Sequence, residues 1–511
     1  MTLRQSLTYQ PVELSFGTSG LRGLVIDMTD LECYINVRGF LDFLKQNEAL
    51  PDNAVISVAG DLRNSTPRIL GATLQAIEDA GYQSQYCGLI PTPALALWAK
   101  DNNQPCIMVT GSHIPDNRNG IKFYKASGEI LKEDEAAIQQ AVAQARRALY
   151  DSSQQLFQTD GSLLKKQALP KPLLEPRQHF IDRFLKLLPA RMLRSKHIVV
   201  YQHSAVGRDL LVEVLEALGA RVTPVGRSDI FISIDTENVT PSDQNYFRSF
   251  AQLYPDAFAI VSTDGDSDRP FLIDETGEFH RGDVLGVIVA QELNADFAAI
   301  PVSSSDAVDT SLTNRGIRWQ HTKIGSPYVI SAMQAALQAK RKRVVGWEVN
   351  GGFLTGTPIE YQSKILTALP TRDAFLPLLI ALSAAIKQSV PISHLFTVLP
   401  QRFTQAGLLD NFPQLSSQKI IAVLSTKNAQ STQLLRQCFT KQQGFDEIKT
   451  VDTTDGVRLT FSNQDIAHIR PSGNAPQLRI YSVANSQKRA DQIVELSLKT
   501  NGILNDLKNA V

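Results

Sequence analysis

Two rhythms of apolar residues alternate along this chain: short runs rich in Val, Ile and Phe, and longer stretches with helical spacing. The first pass predicts a strand over 54–59, a helix over 67–80, a strand over 106–110 and a helix over 132–149. The alternation lapses over 151–176, where a Ser-Ser-Gln-Gln run and three prolines read as a linker. It resumes with strands over 198–201, 221–225 and 257–262 around a helix over 209–218. A third pass follows, with strands over 271–273, 297–301 and 344–347 and helices over 282–292 and 326–339. A long helix is expected over 371–387, then strands over 457–461 and 478–483 and a closing helix from about residue 486. Strands alternating with helices predict α/β domains with largely parallel or mixed sheets, and three passes of similar texture point to related domains.

Composition narrows this picture. The 511 residues allow three or four domains at roughly 150 residues each. With 43% hydrophobic residues there is ample material for buried cores, and disorder and collagen-like structure are poor readings. Lys and Arg total 51 and Asp and Glu total 51, so net charge gives no reason to expect a nucleic acid or an anionic membrane as partner. Cys33, Cys87, Cys106 and Cys438 form no CxxC pair, which fits a reducing compartment. Residues 1–10 lack an apolar signal core, and the apolar stretch 374–386 carries a proline and is too short to span a bilayer. A cytoplasmic protein is therefore expected, and any phosphate chemistry has to come from local sites.

Five loops carry candidate chemistry. Thr110-Gly111-Ser112-His113-Ile114-Pro115 follows a predicted strand, a position from which an α/β domain can present an exposed hydroxyl, so Ser112 is a candidate nucleophile. It is no GxSxG elbow, and the bland alternative is a turn whose side chains bind only backbone. Lys122, in Asn119-Gly120-Ile121-Lys122, comes within reach if the chain folds back. Asp264-Gly265-Asp266-Ser267-Asp268-Arg269 spaces three carboxylates so that they can converge on one hard cation. An EF-hand is excluded because Arg269 stands where that loop needs Gly and a strand precedes it; an open Mg²⁺ site is the better reading, against a solvated acidic turn. Arg470-Pro471-Ser472-Gly473-Asn474 combines a forked donor with hydroxyl, amide and backbone donors suited to phosphate, or is an ordinary turn. Phe16-Gly17-Thr18-Ser19-Gly20-Leu21-Arg22-Gly23 is Gly-rich without a P-loop ending, and Trp347-Glu348-Val349-Asn350-Gly351-Gly352 offers a carboxylate and an amide to vicinal hydroxyls.

In this order the loops resemble the α-D-phosphohexomutase superfamily, which includes phosphomannomutases, phosphoglucomutases and phosphoglucosamine mutases, over nearly the whole chain from Phe16 to Tyr481. The resemblance implies four domains around a central cleft, three related α/β mixed-sheet domains and a smaller α+β C-terminal one, expected over 1–160, 177–274, 275–395 and 396–511. It implies Ser112 as the phosphoserine and as a metal ligand with Asp264, Asp266 and Asp268, Mg²⁺ as the cofactor, and Arg22, Lys122 and Arg269 as basic catalytic residues. Lys122 would be a general acid or base if cationic neighbours lower its pKa. Glu348 and Asn350 would bind sugar; Arg470, Ser472, Gly473 and Asn474 would bind phosphate; Asp61 and Arg63 would support the serine loop or form a salt-bridged turn.

The implied reaction interconverts mannose 6-phosphate and mannose 1-phosphate through a hexose 1,6-bisphosphate, which also serves as activator, in a monomer or homodimer. Phosphoglucomutase or phosphoglucosamine mutase activity by the same route, a metal-dependent phosphatase, and a non-catalytic phosphosugar-binding protein remain as alternatives. The chain departs from the family pattern at Asn350 and Gly352, where Ser and His are usual, at Ser326, where a His or Lys often follows Gly, and at Ala475, where Glu is usual.

Overall fold

A computed structural model describes residues 2–510 apart from 18–19, 154–155, 166–167, 238, 427 and 473–475. Contacts divide the chain into two units, one of residues 1–297 and 326–396, the other of residues 298–325 and 397–511.

The first unit opens with a seven-stranded mixed sheet. Val55–Gly60 runs parallel to both Gln83–Leu89 and Cys106–Val109, as the alternating pattern predicts. Arg118–Lys125 then pairs antiparallel with Cys106–Val109 and with Leu21–Leu24, so Lys122 lies opposite Met108 and Arg22 opposite Gly120. This fold-back brings Lys122 beside the serine loop. Helices Asp30–Asn47 and Lys132–Asp151 pack together against the sheet, where the Phe40 and Phe123 rings stack at 4.4 Å.

A second sheet places His197–Tyr201 between Arg221–Val225 and Ala259–Thr263, parallel to both. Ala259–Thr263 turns back antiparallel into Pro270–Ile273, with Thr263 opposite Pro270, so the acidic segment is the turn of a buried hairpin. In the same way Val344–Trp347 and Phe353–Thr355 form a hairpin whose turn is residues 348–352. Leu369–Asp373 pairs with Phe353–Thr355 on its other side, Asp373 opposite Phe353.

One expectation is corrected here. The helix expected over 371–387 begins only at Phe375 and runs to Gln388, and residues 371–373 finish a strand. Asp373 makes the break, because its Oδ1 accepts the backbone N–H groups of Phe375 and Leu376 at 2.9 and 3.2 Å. Predicted helices 67–80, 209–218 and 282–292 match Thr66–Asp79, Arg208–Ala217 and Gly282–Glu292 closely.

The second unit contains a five-stranded antiparallel sheet in the order Phe403–Leu409, Leu478–Ala484, Ile466–Pro471, Val457–Phe461, Ile448–Asp452. Helices Gln414–Ser425, Ala429–Cys438 and Gln487–Leu498 contribute to its core. All four cysteines are buried and unpaired, Cys33, Cys87 and Cys106 in the first unit and Cys438 in the second. Among the described residues no helix is long and apolar enough to cross a membrane.

Candidate active site

The serine loop is fixed from beneath by one buried arginine. Arg63, 1% exposed, donates through Nη2 to the Ser112 and Ile114 carbonyls at 2.9 and 2.6 Å, and through Nη1 to those of Pro115 and Arg118 at 2.9 and 3.0 Å. Its Nε reaches Asp61 at 3.2 Å, and the guanidinium lies 3.8 Å from the Phe231 ring centroid. A Cβ at Gly111 would come within 2.6 Å of the Arg63 guanidinium carbon, so only glycine lets the loop sit this close. Asp61 also accepts from Thr110 Oγ1 at 2.8 Å, and Thr110 Oγ1 accepts from the Ser112 N–H at 2.8 Å. Ser112 is held with left-handed φ of 54°.

The Ser112 hydroxyl donates to Asp264 Oδ2 at 2.6 Å, joining the serine loop to the acidic turn. Asp264, Asp266 and Asp268 are buried, and each offers an oxygen within 4.8 Å of the others. Their remaining oxygens are anchored. Asp264 Oδ1 accepts the Asp268 and Arg269 N–H groups, both at 3.1 Å. Asp266 Oδ2 accepts from Thr92 Oγ1 at 2.5 Å and Lys122 Nζ at 2.6 Å. Asp268 Oδ2 accepts from Lys122 Nζ at 2.6 Å and Arg372 Nε at 3.0 Å. Asp266 Oδ1 and Asp268 Oδ1 are buried without hydrogen-bond partners among the described residues. Two carboxylates clamped through one oxygen and bare at the other, beside Asp264, form a donor set that fits a hard divalent cation.

The charges around this set are unequal. Burial, with Asp266 and Asp268 nearby, raises the Asp264 carboxyl well above its ordinary range. Burial opposes ionisation of Asp268 as well, but Arg372, Lys122 and Arg269 outweigh it and hold that carboxyl low. Burial and the neighbouring Arg269 and Arg372 push Arg22 down to about 10. Arg269 Nε stands 3.8 Å from Asp264 and Asp268 and has no hydrogen-bond partner among the described residues. Carboxylates outweigh burial at Arg269 and Arg372 and raise both, so Arg22 is the cation whose charge an incoming anion would favour. His113 Nδ1 lies 3.4 Å from Ser112 Oγ, its ring kept neutral by burial and by Arg269 and Arg22.

Lys122 departs from expectation. Burial alone would lower its pKa, but the Asp266 and Asp268 carboxylates outweigh burial and raise it. The condition attached to a role as base, cationic neighbours depressing its pKa, is therefore not met, and Lys122 is an ammonium held between two carboxylates.

Glu348 and Asn350 occupy the neighbouring hairpin turn. Glu348 Oε2 accepts from Arg372 Nη1 at 2.7 Å, while Asn350 donates to Glu237 Oε1 at 3.0 Å and accepts the Gly352 N–H at 3.0 Å. The first unit thus brings Ser112, Lys122, Arg22, Arg269, Glu348, Asn350 and the three aspartates into connected networks of bonds and charges. Arg470 and Ser472 belong to the second unit. There Arg470 Nε pairs with Asp455 at 3.0 Å and the Ser472 N–H donates to the Gln477 carbonyl at 2.9 Å; Gly473 and Asn474 lie outside the described residues. Thr92, Glu237 and Arg372 were not expected from the sequence. Thr92 could have been suspected from Pro91-Thr92-Pro93, a small polar residue at a helix start; for Arg372 the predicted helix concealed the strand that carries it.

Mixed α/β sheets, an antiparallel sheet in the second unit, and a serine set against a carboxylate triad define the class. Family models agree: "Phosphoglucomutase/phosphomannomutase, alpha/beta/alpha domain I" matches residues 13–148, domain III matches 281–403, and the C-terminal domain matches 415–498. A phosphomannomutase of Salmonella muenchen is 40% identical, covering 95% of both chains, and one of Sinorhizobium fredii is 37% identical over 94% of this chain and 98% of its own. The crystal structure of a phosphoglucomutase/phosphomannomutase family protein from Burkholderia thailandensis shares the fold, with TM-score 0.70 at 18% identity over 96% of this chain and 97% of that one. The chain belongs to the phosphoglucomutase/phosphomannomutase family and is an α-D-phosphohexomutase.

Proposed function

We propose that this chain is a phosphomannomutase, interconverting mannose 6-phosphate and mannose 1-phosphate through a phosphoserine at Ser112 and a bound hexose 1,6-bisphosphate, with that bisphosphate as activator. The observation that carries the reading is the 2.6 Å bond between Ser112 Oγ and Asp264, within a carboxylate set that keeps two oxygens bare. Phosphorylated Ser112 gives its phosphoryl group to the free sugar hydroxyl; the Oγ–P bond breaks, the new O–P bond forms, and the hydroxyl proton ends on Ser112 Oγ. The bisphosphate turns over, and Ser112 takes the other phosphoryl group. Arg22 and Arg269 stabilise charge on the transferring group, and the Lys122 ammonium adds a donor beside it. Glu348 and Asn350 orient the sugar hydroxyls, and Arg470, Ser472, Gly473 and Asn474 take the phosphate that is not transferred, whichever carbon bears it.

Asp264, Asp266 and Asp268, with the phosphorylated Ser112, would hold Mg²⁺, which supplies positive charge to a phosphoryl group when bound. The donor chemistry supports this: all three ligands are hard oxygens, and none is a thiolate or imidazole. A coupled assay with mannose 1-phosphate, glucose 1-phosphate and glucosamine 1-phosphate, each with Mg²⁺ and a trace of bisphosphate, tests the reading. Mannose 1-phosphate should give the highest kcat/KM, and preference for another sugar would refute the assignment. Intact-protein mass should show one phosphate that disappears in Ser112→Ala. Steady phosphate release would favour a phosphatase instead.

A further inference from the structure

Arg372 is the next-to-last residue of the strand Leu369–Asp373 and is 3% exposed. Because Asp373 pairs with Phe353, the strand delivers Arg372 beneath the turn formed by residues 348–352. The guanidinium forks there. Nε and Nη2 stand 3.0 and 2.9 Å from Asp268 Oδ2, and Nη1 stands 2.7 Å from Glu348 Oε2. One side chain therefore joins two loops that come from different sheets. Glu348, 4% exposed, has no other ion pair among the described residues.

Gly352 makes room for this bridge. A Cβ there would lie 2.6 Å from Arg372 Cδ, 2.7 Å from Cγ and 2.9 Å from Cβ. Gly352 is not left-handed, so its backbone would accept alanine; the Arg372 stem excludes it. Any side chain at position 352 would therefore meet the Arg372 stem.

We propose that Arg372, seated across Gly352, is a positioning residue of the mutase reaction: it fixes the Glu348 carboxylate against the sugar while anchoring Asp268. This deepens the mutase reading above and rests on it. Arginine's planar fork aims separate donors at the two carboxylates, so Arg372→Lys keeps the charge and loses that fixed geometry.

The test is a double-mutant cycle on the full chain. Wild type, Gly352→Ala, Arg372→Ala, the double variant and Arg372→Lys are compared by mannose 1-phosphate kinetics. Binding of mannose 6-phosphate is measured by calorimetry after removal of divalent ions with EDTA, and circular dichroism checks folding. Gly352→Ala should raise KM and weaken binding by about 10-fold in the wild-type background, and by less than about 2-fold when Arg372 is already alanine. Arg372→Ala should lose roughly 100-fold in kcat/KM, and Arg372→Lys should recover part of that loss. Equal costs of Gly352→Ala in both backgrounds would overturn the proposal, as would variants that melt earlier yet keep wild-type KM and binding. If Arg372→Ala does not fold, Gly352→Ala decides alone, and an unchanged KM overturns the idea. Absence of mutase activity in wild type would remove the mutase reading, while the calorimetric cycle would still decide whether Arg372 positions a sugar phosphate.

Discussion

Arg63 and Arg22 make opposite use of the same side chain. Arg63 gives its donors to four backbone carbonyls and Asp61, and its charge is answered inside the protein. Burial lowers the pKa of both, but Arg22 is pushed down to about 10 with two further arginines adding to burial, whereas carboxylates offset burial at Arg63. The first environment is satisfied without a ligand and serves to shape the serine loop; the second is electrostatically incomplete until an anion arrives. An arginine near a reactive group is thus structural or functional according to where its donors end.

Breaking this contrast at its centre should have the largest effect. Ser112→Ala removes the nucleophile and should lower kcat by about 10⁴-fold or more, with circular dichroism unchanged. Next is Arg63→Met, which strands Asp61 and four carbonyls; urea unfolding should show a loss of about 3–5 kcal/mol together with lost turnover. Arg22→Met should behave in the opposite way. It should lower kcat/KM by about 100-fold without loss of stability, because it relieves repulsion, and inorganic phosphate should raise the melting temperature of wild type more than that of the variant. A stability loss in Arg22→Met as large as that in Arg63→Met would break the comparison.

The smallest effect concerns pH and needs neither arginine. His203 and His468 are buried, each bonds a backbone carbonyl through Nε2, and each has no partner for Nδ1 among the described residues. Burial holds both near 4, against about 6.5 for a free imidazole. The unfolded chain therefore binds protons that the folded chain refuses, and stability falls as pH drops from about 6.5 through 4. Between pH 7 and 5 the cost should be about 2 kcal/mol per imidazole, read from urea midpoints. His468→Gln should flatten the profile.

Much of this was legible from the chain. The Asp264–Asp268 spacing is a local pattern, and a hairpin turn preserves it, so the carboxylate set follows directly from sequence. Ser112 and Lys122 were visible for a related reason, since a strand end and a fold-back place them. Arg372 was hidden because the apolar run behind it imposed helical periodicity on 371–373, whereas pairing with Phe353 fixes those residues as strand. Its partner Asp268 is 104 positions away, a distance over which no periodicity carries information. Arg63 was placed in a supporting motif, but its carbonyl contacts depend on backbone geometry that residue types do not encode. The fold-back that carries Lys122 is legible in the sequence and its electrostatics is not, because the carboxylates that surround it come from another sheet.

The four buried cysteines also give the molecule a built-in clock. Burial raises the Cys87 thiol to about 12 and the Cys438 thiol to about 11, far from the reactive thiolate form. A thiol-specific dye will therefore ignore the folded chain and mark each unit only when that unit opens. Three labels report on the first unit and one on the second, so the order in which the units come apart can be timed on the natural sequence, with no added probe.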